Sequence, residues 1–285
     1  MYKILALDLD GTLTNSKKEI TPHTLEVLMQ AQQRGLRLVL ASGRPTPGIL
    51  PLAEQLHLGE YGGYILAFNG GLIIDCATGK PIYQKTLDTS VYPHLYEKGN
   101  TPDLKILSYY QDCIACEDIE NEYVRYEARL NKMKLKKLDS FLDQLNFPEP
   151  KCLIVGNPDK VAPLEKELAA YYEGRLSIYR SEPFFLEVLP LGIDKAKCLD
   201  YLLQRLGLSR HELIACGDGF NDLSMIQYAG LGVAMANAQE VVRQAADHIT
   251  LSNEEDGVAA VVKQFCPPPP NAPLQGARGP LTSNR

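Results

Sequence analysis

Three short apolar runs near the start of the chain, each ending in a polar residue, constrain the fold more than any other feature. The runs are 4–7 before Asp8, 36–41 before Ser42, and 64–68 before Asn69. A strand that is buried on both faces has such a continuous apolar sequence, as in a parallel sheet covered by helices. Between the first two runs, Thr21 can cap a helix and Pro22 fits its first position. The pattern predicts a doubly wound α/β sheet, whose ligands bind at the carboxyl ends of the strands.

The pattern changes after about residue 84. We predict strands at 104–110, 151–156, 176–180 and 184–189, and helices at 121–138 and 158–172. The α/β pattern then resumes with helices at 194–206, 221–229 and 238–246 and strands at 213–216, 231–235 and 248–251. We therefore expect a core of residues 1–83 and 190–265 with an α+β cap, 84–189, inserted into it. The Pro-rich segment 266–285 contains almost no large apolar residues and is predicted to be a disordered tail.

The first motif follows the run 4–7. Asp8 and Asp10 are two residues apart, so in an extended chain both carboxylates point to the same face of the strand. Two close carboxylates favour a bound cation, and Mg²⁺ suits oxygen ligands. One carboxylate can then attack phosphorus while the other, protonated, supplies a proton to the leaving oxygen. The alternative is a plain surface turn, because Asp-Gly is common in turns. The preceding buried run favours the functional interpretation.

Three further groups of polar residues lie at predicted element ends. Ser42, Gly43 and Arg44 offer a hydroxyl and free N–H groups that can hold a phosphate oxygen. Lys195 lies at the start of a helix, where the helix dipole disfavours a cation unless an anion is near. The fourth group, framed by glycines at a strand end, suits a Mg²⁺ site. It comprises Asp218, Asn221 and Asp222.

In this order the four motifs resemble those of the haloacid dehalogenase superfamily, and within it the Cof-type (subfamily IIB) sugar-phosphate phosphatases. The resemblance spans residues 1 to about 262. It implies a Rossmann-like core with a cap inserted between the second and third motifs. It also implies cleavage of phosphate monoesters through an aspartyl-phosphate. The expected substrate is a sugar phosphate or a similar small phosphorylated metabolite.

The resemblance also implies a role for each motif residue. Asp8 is the nucleophile, and Asp10 is the general acid and then the base. Mg²⁺ is bound by Asp8, the main-chain carbonyl of Asp10 and Asp218, with Asp222 in support. The phosphoryl oxygens are held by Ser42, Gly43 and Lys195, and Asn221 braces that group.

Several alternatives stay open at this stage. Arg44 can contact the substrate or pair with a neighbouring carboxylate, and Asn69-Gly70-Gly71 is either a substrate-side loop or a tight turn. Cys113 and Cys116 have a metal-like spacing, but there is no second cysteine pair, so we expect no zinc site. For the whole chain, the rivals are a sugar phosphomutase of the same superfamily and a phospho-ligand-binding regulator without turnover.

The composition limits partners and location. The net charge is −6, with 29 Lys and Arg against 35 Asp and Glu, so we expect no nucleic-acid partner. The seven cysteines are odd in number and scattered, which favours free thiols in a reducing compartment. We expect no signal peptide, no membrane association and no obligate protein partner. These observations predict a cytoplasmic enzyme.

Overall fold

The computed structural model of the protein describes residues 1–110 and 112–268. Its strands are β1 (Ile4–Leu7), β2 (Arg37–Ala41), β3 (Tyr64–Ala67), β4 (Leu72–Asp75), β5 (Lys80–Gln84), β6 (Leu104–Tyr110), β7 (Cys113–Cys116), β8 (Lys134–Lys137), β9 (Cys152–Gly156), β10 (Leu176–Glu182), β11 (Phe185–Pro190), β12 (Leu213–Gly217), β13 (Leu231–Ala234) and β14 (His248–Ile249). Its helices are α1 (Pro22–Gln33), α2 (Leu50–Gln55), α3 (Leu58–Tyr61), α4 (Tyr92–Gly99), α5 (Glu122–Leu130), α6 (Phe141–Gln144), α7 (Pro158–Tyr171), α8 (Lys195–Leu206), α9 (Leu223–Tyr228), α10 (Glu240–Ala245) and α11 (Gly257–Phe265).

The first sheet has eight strands in the order β14-β13-β12-β1-β2-β3-β4-β5. Its strands are parallel from β14 to β3, and β4 and β5 add an antiparallel edge. β1 is central and fully buried, and its side chains alternate between two apolar clusters, one on each face of the sheet. Leu7 pairs with Cys216 on one side and Leu40 on the other. The residues that follow these three strands therefore emerge at one edge of the sheet.

The second sheet has six strands in the order β10-β11-β9-β6-β7-β8. It lies wholly between residues 104 and 190, and all its neighbouring strands are antiparallel except β7 and β8. Helices α4, α6 and α7 contribute to an apolar cluster around the fully buried Phe141. Val124 of α5 and Tyr109 belong instead to the cluster that continues into the first sheet through Phe68.

The doubly wound α/β prediction is confirmed, and most predicted elements agree with the structure within a few residues. The helix predicted over 121–138 is wrong in its second half. α5 ends at Leu130, Lys132 has a left-handed φ of 53°, and Lys134–Lys137 forms β8. The parallel ladder between β7 and β8 supplies backbone hydrogen bonds that outweigh the helical preference of this lysine-rich segment. The prediction also omitted several short elements, among them β4, β5, α4, α6 and α11.

The described part of the chain ends near the predicted tail. Cys266 follows α11, and residues 269–285, which hold most of the segment predicted to be disordered, lie outside the described residues. Within the described ranges, no helix combines the length and the apolar character that a membrane crossing requires.

Candidate active site

One cavity of about 870 Å³ gathers the four sequence motifs. Its walls come from the carboxyl end of the first sheet and from the second sheet. The lining includes every side chain predicted for the site, namely Asp8, Asp10, Ser42, Arg44, Lys195, Asp218, Asn221 and Asp222, together with the backbone of Gly43. Sites of this size accommodate small-molecule ligands. The parallel strand order brings these residues together because the carboxyl ends of β1, β2 and β12 are neighbours.

A buried ion network forms the floor of this cavity. The Lys195 Nζ lies 2.7 Å from Asp8 Oδ1 and 2.6 Å from Asp222 Oδ1, and it also donates to the Ala41 carbonyl at 2.9 Å. Lys195 is 1% exposed, and the Asp194 side chain, which accepts from the Lys197 N–H, caps the helix that begins with it. The lysine that sequence reasoning placed at a helix start is thus held against two carboxylates.

Burial and charge determine the protonation of this network. Burial raises the pKa of the Asp8 carboxyl to about 8, the Asp222 carboxylate adds to the rise, and the Lys195 ammonium opposes it. Burial alone would lower the pKa of Lys195, but the carboxylates of Asp222 and Asp8 raise it above its ordinary value. Lys195 therefore stays an ammonium, whereas Asp8, with a pKa of about 8, needs a further cation to be ionised near neutral pH.

Asp218 and Asp222 complete an acidic group with Asp8, in which one oxygen of each lies within 4.8 Å of the others. Asp222 Oδ2 accepts the backbone N–H groups of Asp218 and Gly219, both at 2.9 Å. Together with the Lys195 contact, this occupies both oxygens of Asp222. Burial raises the pKa of the Asp218 carboxyl to about 6. Three crowded carboxylates with hard oxygen donors fit a Mg²⁺ ion.

Position 11 in the first motif must be glycine because it lies against Asp218 of the fourth motif. Gly11 has φ +84°, and a Cβ on it would lie 2.4 Å from Asp218 Oδ2. Thr12, the next residue, donates its hydroxyl to Asp218 Oδ1 at 2.7 Å. The turn after Asp10 and the loop after β12 therefore fit together only when residue 11 has no side chain.

Asp10 is held by two cations. The Arg44 guanidinium reaches Asp10 Oδ2 at 2.8 Å and Oδ1 at 2.5 Å, and Lys18 Nζ lies 2.6 Å from Oδ1. Burial opposes ionisation here, but the hydrogen bonds and charges of Arg44 and Lys18 lower the pKa of Asp10 below its ordinary value. Of the two alternatives for Arg44, the structure shows pairing with a neighbouring carboxylate.

The hydroxyl and amide side chains have local partners. Ser42 is buried, and its Oγ accepts the N–H of Arg44 at 3.2 Å. Asn221 donates to Asn69 Oδ1 at 3.0 Å, and Asn69 Nδ2 in turn lies 3.3 Å from the hydroxyl of Tyr179. Asn69 has φ 55° inside a short 3₁₀ turn, so the Asn-Gly sequence is a tight turn that also lines the cavity.

Sequence reasoning named no charged cavity residue between positions 84 and 189, although several lie there. Glu127, Lys151 and Glu187 line the cavity and are each less than a tenth exposed. A faint signal existed, because Glu187 is a single charge between apolar neighbours in β11. Cys113 and Cys116 lie in β7 as free cysteines. Within the described ranges, the acidic group of Asp8 is the one candidate metal cluster.

Comparison with known proteins gives consistent matches along nearly the whole chain. A family model described as haloacid dehalogenase-like hydrolase matches residues 5–262. The crystal structure of a haloacid dehalogenase-like hydrolase from Bacteroides thetaiotaomicron superposes with a TM-score of 0.90 at 52% identity, covering 93% of this chain and 99% of that one. The subclass IIB sugar phosphatase BT4131 has a TM-score of 0.76 at 26% identity, covering 93% and 100%. The 5-amino-6-(5-phospho-D-ribitylamino)uracil phosphatase YcsE of Bacillus subtilis is 30% identical over 92% of this chain and 95% of its own.

Proposed function

The chain belongs to the haloacid dehalogenase-like hydrolase family and is a phosphatase, and from this premise we propose that it cleaves small phosphate monoesters through an aspartyl-phosphate on Asp8. The observation that carries the proposal is the buried contact of Asp8 with Lys195 at 2.7 Å, at the floor of a polar cavity. A carboxylate there can attack phosphorus, while the ammonium balances charge on the phosphoryl oxygens.

The reaction takes two displacement steps. In the first, a carboxylate oxygen of Asp8 forms a bond to phosphorus as the bond from phosphorus to the ester oxygen breaks, and the leaving oxygen takes a proton from the Asp10 carboxyl. In the second, water attacks the same phosphorus, gives its proton to Asp10 and releases phosphate and the Asp8 carboxylate. Ser42, the N–H groups near Gly43 and Lys195 hold the phosphoryl oxygens throughout, and Asn221 braces the group through Asn69.

Asp10 must carry a proton for the first step. In the structure Arg44 and Lys18 hold it ionised. We propose that substrate binding draws Arg44 away from Asp10 toward the incoming ester, which would let Asp10 take up the proton it donates. Arg44 would then pair with the Asp10 carboxylate before the substrate binds and contact the substrate afterwards.

The acidic group is the proposed Mg²⁺ site. Asp8, the main-chain carbonyl of Asp10 and Asp218 would hold the ion, and Asp222 would support them by fixing the N–H groups of Asp218 and Gly219. Bound there, Mg²⁺ would neutralise charge on the phosphoryl group. We also propose that residues 1–83 and 190–265 form the catalytic core and that 84–189 act as a cap.

Replacing the nucleophile tests the covalent route. Asp8→Asn should lower kcat for p-nitrophenyl phosphate by more than about a thousandfold, because an amide cannot form the phosphoryl bond. The control is an unchanged circular dichroism spectrum and denaturant midpoint. A folded variant that keeps a tenth of the activity would rule out an aspartyl-phosphate at this position. Phosphate release without any bisphosphate activator would also separate a phosphatase from a phosphomutase.

Removing divalent metal tests the proposed cofactor. EDTA should abolish phosphate release, and added Mg²⁺ should restore it, because without a cation the pKa of about 8 leaves much of the Asp8 carboxyl protonated and unable to attack phosphorus. Activity is measured by phosphate release before and after dialysis against chelator. Full activity in chelator would exclude Mg²⁺ from the reaction.

A further inference from the structure

Residues 9–14, which directly follow the proposed nucleophile, form a loop that contains Asp10. We call this segment the Gly11 loop. Gly11 has a positive φ of 84°, and glycine can adopt several backbone conformations at little cost. The N–H of the next residue, Thr12, makes only a long bond of 3.4 Å to the Leu9 carbonyl. The loop by itself therefore holds the peptide between Gly11 and Thr12 weakly.

Two asparagines from distant parts of the chain bond to this loop. Asn237 Nδ2 donates to the Gly11 carbonyl at 2.8 Å, and Asn253 Nδ2 donates to the Thr14 carbonyl at 2.9 Å. The backbone N–H of Asn253 also donates to Asn237 Oδ1 at 3.0 Å, so the two residues hold each other. We call this pair the asparagine clasp. It holds both ends of the segment 11–14 from outside the loop.

The order of the strands explains how the clasp reaches the loop. Asn237 follows β13 and Asn253 follows β14, and both strands are parallel to β1 and β12 in the first sheet. The carboxyl ends of these four strands therefore lie along one edge. The segment after β13 also bonds to the loop of the fourth motif, since the Gln239 N–H donates to the Asp218 carbonyl at 2.9 Å. Residues after β13 thus contact both loops that carry proposed metal ligands.

Local capping is the ordinary role of asparagine at the ends of loops, and this chain has examples. Asn121 and Asn157 each accept an N–H group of the helix that follows them. The clasp differs, because Asn237 and Asn253 donate to carbonyls 226 and 239 positions away in the sequence. Asn237 is exposed, and a hydrogen bond at the surface adds little to the free energy of unfolding. Neither clasp residue is among the described residues that line the cavity.

The Asp10 carbonyl is the functional group closest to the clasp. It belongs to the peptide that precedes Gly11, and it accepts no hydrogen bond from the described residues. Rotation about the backbone bonds of Gly11 would turn this carbonyl relative to the next peptide, and the bond from Asn237 opposes that rotation. Groups that orient a metal ligand contribute to metal affinity although they do not touch the ion.

We propose that Asn237 and Asn253 are positioning residues of the proposed Mg²⁺ site, which hold the Gly11 loop so that the Asp10 main-chain carbonyl is oriented as a ligand before the ion binds. They act through the loop and touch neither the substrate nor the ion. This inference rests on the proposed function and adds two residues to it.

Mg²⁺ affinity tests the proposal with a measurement other than activity. Isothermal titration of Mg²⁺ into chelator-dialysed protein should give a dissociation constant about tenfold higher for Asn237→Ala than for the wild type, and severalfold higher for Asn253→Ala. KM for p-nitrophenyl phosphate at saturating Mg²⁺ should stay unchanged, because neither residue borders the cavity. The matched control is Asn157→Ala, which removes the cap of α7. It should lower the free energy of unfolding and leave the Mg²⁺ dissociation constant unchanged.

The other outcomes are also decisive. A wild-type Mg²⁺ dissociation constant in both folded clasp variants overturns the inference, and so does an equal rise in Asn157→Ala or a higher KM with unchanged Mg²⁺ affinity. If Asn237→Ala does not fold, Asn253→Ala decides. The wild type separates this inference from the proposed function. Phosphate release by a wild type whose clasp variants bind Mg²⁺ equally well leaves the proposed function standing, whereas no phosphate release by the wild type in Mg²⁺ overturns both.

Discussion

Asp222 and Asp218 are two acidic residues of one loop whose surroundings give them opposite roles. Both oxygens of Asp222 are bonded to the chain itself, to Lys195 and to two backbone N–H groups. Asp218 accepts one hydrogen bond, from Thr12, and burial raises the pKa of its carboxyl to about 6. We infer that Asp222 holds the loop in place whether or not metal is bound. Asp218 has no cationic side chain in hydrogen-bond contact among the described residues, and we infer that it gains such a partner from the metal.

This difference predicts that replacing Asp222 and replacing Asp218 by Asn have different effects on the free energy of unfolding in the presence of EDTA. Asp222→Asn should lower the free energy of unfolding by about 3 kcal/mol or more, because it leaves the buried Lys195 ammonium with one carboxylate and replaces an acceptor with a donor. Asp218→Asn should leave it unchanged or raise it by on the order of 1 kcal/mol, because the amide removes a poorly solvated charge and can still accept from Thr12. Urea denaturation at pH 8 measures both.

The pair of variants includes its own control. Both remove one negative charge from the same loop, so a general charge effect would change the two stabilities equally. Equal losses would contradict the division of roles. In Mg²⁺, Asp218→Asn should additionally lose the stabilisation that the ion gives the wild type.

At the level of elements, the sequence predicted what local pattern and strand ends determine. Strands β1, β2 and β12 are continuous apolar runs, and each is followed at its carboxyl end by a motif, so both the sheet and the position of the cavity could be predicted. The contacts of Asp8 with distant residues could not be derived from the spacing of residues in the sequence. Lys195 is 187 residues away in sequence and reaches Asp8 only because α8 begins beneath that edge of the sheet.

The wrong helix over 121–138 shows where local reasoning fails. Asn121 caps α5 as a sequence reader would expect, through bonds to the N–H groups of Tyr123 and Val124. The helix stops because Lys132 turns into the left-handed region and the chain then pairs with β7. That pairing is a contact of tertiary structure, and the positions of Glu127 and Glu187 at the cavity depend on tertiary structure in the same way. Glu127 and Glu187 are 60 positions apart and meet only when the second sheet has formed.

At the scale of the whole molecule, a two-residue turn between β3 and β4 of the first sheet contacts the second sheet. Phe68 and Asn69 both have positive φ, at 53° and 55°, which costs energy for residues other than glycine. The turn directs the Phe68 ring against Tyr109 of the second sheet, with centroids 5.5 Å apart. It also places Asn69 between Asn221 and the Tyr179 hydroxyl. We infer that this turn holds the second sheet close over the cavity.

Weakening the ring contact should open the molecule. Phe68→Leu keeps an apolar side chain but removes the edge-to-face contact with Tyr109, so the substrate-free protein should have a larger radius of gyration by small-angle X-ray scattering. KM for a small phosphate monoester should rise severalfold, because the cavity residues between 84 and 189 are then less often in reach of the substrate. The matched control is Phe141→Leu, which removes a ring packed on Tyr92 and Tyr96 inside the second cluster. It should lower stability without changing the radius. A Phe68→Leu protein as compact as the wild type would show that other contacts hold the two sheets together, and that closure does not depend on this turn.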